Sequence, residues 1–175
     1  MRYDTWLGTG GSYLSPGSMS GIGHTREADF GGKLGHPTTF LTFRNPKGHF
    51  QLRYPKDWIL EAGDPFIVRS TRLPLSVRVD VLPGPEISWE RLRSALVGAG
   101  GMFVGEKRLP GPPSQVRGQV VEKEGLFEGR ASAYPWGAVV VVLSTRMLQT
   151  PNHRLESYGR AVLAAIRREF SVPAP

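Results

Sequence analysis

Large apolar side chains recur at every second position along much of this chain. Phe50, Leu52 and Tyr54 alternate with Gln51 and Arg53, and Leu75, Val77, Val79 and Val81 alternate with Ser76, Arg78 and Asp80. A period of two belongs to a strand with one face covered and one face wet. Runs of similar character occupy residues 66–70, 103–109, 115–122, 126–134 and 138–146. Between them lie turn-forming clusters, among them Asn45-Pro46-Lys47-Gly48, Lys123-Glu124-Gly125 and Tyr134-Pro135-Trp136-Gly137. Connections this short predict antiparallel neighbours, because a parallel pair needs a long crossover. The last three strands are expected to form a meander.

Two segments change to helical spacing. Ser88 is placed to cap a helix over 88–97, with Trp89, Leu92 and Leu96 on one side, Ile87 and Leu92 as a hydrophobic staple, and Gly98 at its end. The second segment, 152–170, puts Leu155, Tyr158, Val162, Ala165, Ile166 and Phe170 on one stripe, while Arg154, Arg160, Arg167 and Arg168 mainly face away. Thr150 or Asn152 is its start signal. The fold class is therefore α+β: an antiparallel sheet of about six to seven strands flanked by helices.

The first 36 residues differ in kind. They hold 9 of the 22 glycines, with Ser12, Ser15, Ser18 and Ser20 between them. Glycine and serine at this density favour neither helix nor strand. Tyr3, Trp6, Tyr13, Leu14 and Phe30 nevertheless punctuate the stretch, and a plain linker has no need of large apolar side chains. Two regions are thus expected: an irregular N-terminal arm over 1–36, in which Tyr3, Trp6, Tyr13, Leu14 and Phe30 are candidate partner contacts, and a globular domain over 37–175.

Composition narrows the chemistry. With 175 residues and 39% hydrophobic content the chain suits one ordinary domain. Cysteine is absent, which removes disulfides, thiolate metal sites and cysteine nucleophiles. No apolar run is long enough to span a bilayer, and the N-terminal residues contain no secretory h-region, so a cytoplasmic location is expected, peripheral to a membrane complex if the partner is one. Gly8-Thr9-Gly10-Gly11-Ser12 matches neither a Walker loop nor a dinucleotide fingerprint. His24, His36, His49 and His153 show no ligand spacing, and Glu122, Glu124 and Glu128 surround one hairpin turn rather than form a catalytic pair. Neither a metal, a cofactor nor a catalytic residue is expected.

Charge supplies the remaining signal. The 22 Lys and Arg exceed the 15 Asp and Glu by seven, and all of that excess lies beyond residue 36. Arginines outnumber lysines 17 to 5, and the guanidinium fork suits carboxylate, phosphate and aromatic partners. Arg53, Arg69, Arg78, Arg117, Arg130 and Arg146 are expected opposite the most apolar strand face or at strand ends, forming one basic face, with Trp58, Tyr134 and Trp136 available for stacking.

The run Phe50-Gln51-Leu52-Arg53-Tyr54-Pro55-Lys56-Asp57-Trp58 resembles the F-x-[IL]-x-Y-P-x-x-W opening of the PsbP-like proteins, and more widely the Mog1/PsbP-like fold. A valine-rich strand around Val77-Arg78-Val79, a helix introduced by Ser88, a hairpin pair and a long closing helix ending Arg168-Glu169-Phe170-Ser171 follow in the matching order. The likeness spans about residues 39–172. It implies an antiparallel sheet flanked by helices and an accessory or chaperone-like binding role without catalysis. The expected function is an interaction subunit that docks on a larger assembly, a membrane complex among the options, through its arm and basic surface. A nucleic-acid or other polyanion-binding module is the second reading.

Overall fold

A computed structural model describes residues 39–98 and 100–174. The 1–36 arm, with Tyr3, Trp6, Tyr13, Leu14 and Phe30, lies outside the described residues. Nine strands and two helices follow: β1 (Phe40–Arg44), β2 (Gln51–Pro55), β3 (Ile59–Glu61), β4 (Phe66–Arg69), β5 (Leu75–Pro83), α1 (Trp89–Ser94), β6 (Met102–Leu109), β7 (Ser114–Glu122), β8 (Gly125–Trp136), β9 (Val139–Leu148) and α2 (His153–Glu169). Strands β3 to β9 form an antiparallel sheet in the order β3-β4-β5-β9-β8-β7-β6, and β1 with β2 forms a separate hairpin. The predicted meander of the last three strands is present as β7-β8-β9. The separate hairpin is new, because β1 has apolar residues at both faces and its alternation is too short to stand out.

The two sheet faces are covered differently. Odd-numbered residues of β5 and β9, among them Val77, Val79, Val141 and Leu143, pack with Val162, Leu163 and Ile166 of α2 and with Leu52 and Tyr54 of β2. Even-numbered Val140 and Val142 join Val116, Val120, Phe127 and Ala131 beneath Leu92 and Leu96. The strands are thus buried on alternate faces at successive residues, which is why β9 reads as an unbroken run of valines.

Both helices start where their caps stand. The Ser88 side chain accepts from the Arg91 amide, and Ile87 packs in the same cluster as Leu92. Asn152 Oδ1 accepts from the amides of Arg154 and Leu155. Side-chain caps of this kind contribute about 1 kcal/mol each. The Tyr54–Trp58 segment ends β2 and turns over residues 56–58, closed by the Trp58 amide donating to the Pro55 carbonyl at 3.0 Å. Trp58 is buried in the cluster that contains Val162 and Ile166. Among the described residues α2 lies mainly against β5, β9 and β2, and no other helix covers the same face of β6, β7 and β8.

Candidate anion-binding recess

One cross-strand row explains the open face. In register across seven strands lie Leu60, Val68, Val77, Thr145, Arg130, Arg117 and Lys107. The row is apolar under α2 and changes to cations where the helix cover ends. Lys107, Arg117 and Arg130 are directly opposed on consecutive strands, an arrangement that like charges disfavour. Arg167, near the end of α2, approaches the same place and donates from Nη1 to Thr145 Oγ1 at 2.9 Å. Together with Gln119, Glu128 and Leu163 these residues line a recess of about 470 Å3.

Charge in the recess is poorly balanced. Among the described residues neither Arg117 nor Arg130 has an ion-paired carboxylate. Glu128, the carboxylate of the recess wall, takes a two-nitrogen fork from Arg160 at 3.1–3.2 Å. Burial, followed by the Arg117 charge, holds the Arg130 guanidinium below the usual arginine range. Burial and the Arg130 charge push Arg167 down to about 10. Both remain protonated at neutral pH. Among the described residues, four cations against one already engaged carboxylate leave the recess suited to an anion.

Beta-strand geometry opens the floor. The register of β6 against β7 shifts between Val104 and Lys107, and Gly105 within that irregularity has φ +65°. Left-handed backbone of this kind suits glycine. The shift brings Lys107 opposite Arg117 rather than leaving β6 to run on in its earlier register.

The expectation of a single six-arginine face fails. Arg117 and Arg130 share the recess, but Arg69, Arg78 and Arg146 lie on the side of the sheet that carries α1, since they align with Ser76, Ser144 and Gly129 rather than with the row above. Each of these three has an acidic partner: Glu61 at 3.5 Å, Asp80 at 2.8 Å and Glu122 at 2.5 Å, respectively. Arg53 belongs to the β1-β2 hairpin, where it bonds Glu169 at 2.7 Å and lies over the Phe40 ring.

Arg146 is the sharpest departure from expectation. Its side chain is 0% exposed and stacks over the Phe127 ring at 4.2 Å while donating to Glu122 and to the Leu96 carbonyl. Glu122 in turn accepts from the Gly98 amide at 2.6 Å. This pair anchors the chain leaving α1 and has no surface role, and Glu122 is buried rather than part of an exposed hairpin turn. The arginine became internal because Gly129, its neighbour on β8, leaves space for Leu96 to close over that face.

The aromatic residues expected to stack on a ligand are also used internally. Trp58 is in the core, Tyr134 packs on Phe170 at 5.3 Å, and the Trp136 indole donates to the Pro173 carbonyl at 2.6 Å. Sequence reasoning missed two recess residues, Lys107 and Arg167. Arg167 sits on the polar flank of α2, and its four- and seven-residue spacing from Leu163 and Arg160 was the available signal. Among the described residues no group of three or more His, Asp or Glu could hold a metal ion, and no helix is long and apolar enough to cross a membrane.

Solved structures that match most of this architecture include two that are informative. The Ran-binding protein Mog1p of Saccharomyces cerevisiae is 13% identical with a TM-score of 0.51, covering 78% of this chain and 96% of its own. PsbP (CyanoP) from Synechocystis sp. PCC 6803 is 11% identical with a TM-score of 0.53, covering 78% of this chain and 94% of its own. No protein-family model and no curated protein sequence matches. With the strand order, the Tyr54–Trp58 turn and the closing helix in hand, the described chain has the Mog1/PsbP-like fold.

Proposed function

We propose that this protein is a non-catalytic interaction subunit that docks on a larger assembly and holds an acidic group of its partner in the Lys107–Arg117–Arg130–Arg167 recess. The observation that carries this reading is the row of directly opposed cations that, among the described residues, has no ion-paired carboxylates. Such a row costs stability in the free protein and is relieved by an anion. Mog1p, which shares the scaffold, is a Ran-binding protein, so protein recognition is within reach of the fold. The 1–36 arm is the second contact in this proposal, with Tyr3, Trp6, Tyr13, Leu14 and Phe30 as apolar anchors on a glycine-rich backbone able to follow an irregular surface. The globular domain over 37–175 folds without it, and the protein works in the cytoplasm, at a membrane surface when its assembly is there.

Comparative co-purification tests this. The intact chain, the double variant Arg117→Gln/Arg130→Gln and a chain lacking residues 1–35 are each purified from the source cell at low and raised salt. The expected result is a companion that is lost from the double variant, lost from the truncated chain, and lost from the intact chain as salt rises. A companion retained equally by all three would sink the proposal. Salt-sensitive binding of single- or double-stranded nucleic acid by the same recess, with no protein companion, would favour the polyanion reading instead.

A further inference from the structure

The recess selects among anions. A carboxylate carries one charge and offers one planar pair of oxygens. Here the donors converge from four separate elements: Lys107 from β6, Arg117 from β7, Arg130 from β8 and Arg167 from α2, with Thr145 Oγ1 on the wall. Among the described residues these four cations face one carboxylate, Glu128, which Arg160 already engages. A phosphate monoester matches this layout, because it carries close to two negative charges at neutral pH and directs three oxygens to different sides. A nucleic-acid backbone fits less well, because each diester bears one charge. The volume of about 470 Å3 lies in the range of sites for small ligands.

We infer that the recess binds a phosphomonoester, its phosphate gripped by Arg117, Arg130, Arg167 and Lys107 together. The inference rests on the docking reading in that it uses the same recess, and it names the chemistry the recess recognises. The phosphate comes either from a small free phosphomonoester or from a phosphorylated side chain of the partner. In the second case docking is switched on by phosphorylation.

Titration of the full chain by calorimetry, at constant ionic strength, tests this with glycerol 3-phosphate, a short phosphoserine peptide, sulfate and acetate as probes. Both phosphomonoesters are expected to bind at least about tenfold tighter than acetate, reflecting the extra charge-assisted bonds. Their affinity should rise by about tenfold between pH 5 and pH 7.5, as the second phosphate proton with pKa near 6 is lost. Sulfate keeps a constant charge over that range and so reports any contribution from Glu128, Tyr134 or the recess cations. Arg117→Gln and Arg130→Gln should each weaken phosphomonoester binding by about tenfold to a hundredfold, while Lys123→Gln, outside the recess, leaves it unchanged. Unchanged thermal melting of the variants guards against loss through unfolding.

Tighter binding of the peptide identifies a phosphorylated partner side chain as the source, and equal or tighter binding of glycerol 3-phosphate identifies a free metabolite. Acetate binding as well as the phosphomonoesters, an affinity that does not change with pH, or full binding by Arg130→Gln would each overturn the inference. Failure here alongside a companion still lost from the double variant would leave the docking reading standing with a carboxylate as its anion. Phosphomonoester binding alongside a companion that ignores the recess would do the reverse.

Discussion

Replacing Arg130 by Gln should make the free protein more stable, against the usual direction for a change in a central strand. Arg130 is opposed by Arg117 on β7 and by Thr145 on β9, with Lys107 one strand further and Arg167 above. For any two unit charges roughly 7 Å apart, Coulomb repulsion is about 0.6 kcal/mol at the dielectric of water and about 2.4 kcal/mol at an effective value of 20. Directly opposed like charges in measured sheets cost roughly 0.2–1 kcal/mol. Burial of the Arg130 charge acts in the same direction. Lost packing of the arginine stem offsets part of the gain, so the net expectation is a stabilisation of about 1 kcal/mol, or about 2–4 °C in Tm for a chain of this size. Thermal melts in a buffer without polyvalent anions provide the readout, with exposed Arg91→Gln as a control expected to lie within about 0.5 kcal/mol of the parent. Adding glycerol 3-phosphate at about ten times its dissociation constant should then raise the parent by about 1.4 kcal/mol and move the variant little. The order of stabilities narrows or reverses. An Arg130→Gln protein that is destabilised in the anion-free buffer would refute the account of the row as electrostatically strained.

Further outcomes follow from the two cores. Trp58→Ala should cost about 3–5 kcal/mol in urea unfolding, as befits a large aromatic buried in the core cluster that also holds Val162 and Ile166; a near-neutral result would contradict the packing role of the turn. Glu122→Ala should cost about 3–5 kcal/mol by leaving Arg146 charged and fully buried without its carboxylate, whereas Glu122→Leu combined with Arg146→Met should recover much of that loss; equal losses from the single and the double variant would contradict the unpaired-charge argument. Asp57 is held at about 6 by burial, only partly offset by Arg72. Because the folded pKa is raised above the unfolded one, the stability that Asp57 contributes is complete below about pH 4 and is lost as pH rises through about 6, a change of up to about 3 kcal/mol. Asp57→Asn should therefore flatten the parent's decline across that window, as followed by unfolding at a series of pH values. Gly159→Ala should destabilise by about 1–3 kcal/mol, since its Cβ would come within 2.7 Å of Met147 Sδ and 3.0 Å of Leu75 Cδ2; an alanine variant as stable as the parent would mean that α2 can move off the sheet.

The sequence by itself determined most of the elements and, for most residues, the face. Period two in 75–81 and 115–122 and the stripe on 152–170 are local consequences of backbone geometry, so strands, helices and both caps could be read directly. The alternation of Gln115, Arg117 and Gln119 with Val116 and Val120 already puts Arg117 opposite the α1 core. Tertiary structure decided which arginines meet. Whether a charged residue on a strand face is wet, ion-paired or internal depends on strand order, on where the covering helix stops and on how large the neighbouring side chains are. None of these is encoded in the period of two. Arg130 and Arg146 both alternate with apolar residues in sequence. The end of the α2 cover left Arg130 beside Arg117, Lys107 and Arg167, while Glu122 and Gly129 on neighbouring strands made Arg146 part of the interior. Lys107 and Arg167 joined the recess through a register shift and a helix crossing, two long-range features that their own neighbours in sequence do not specify.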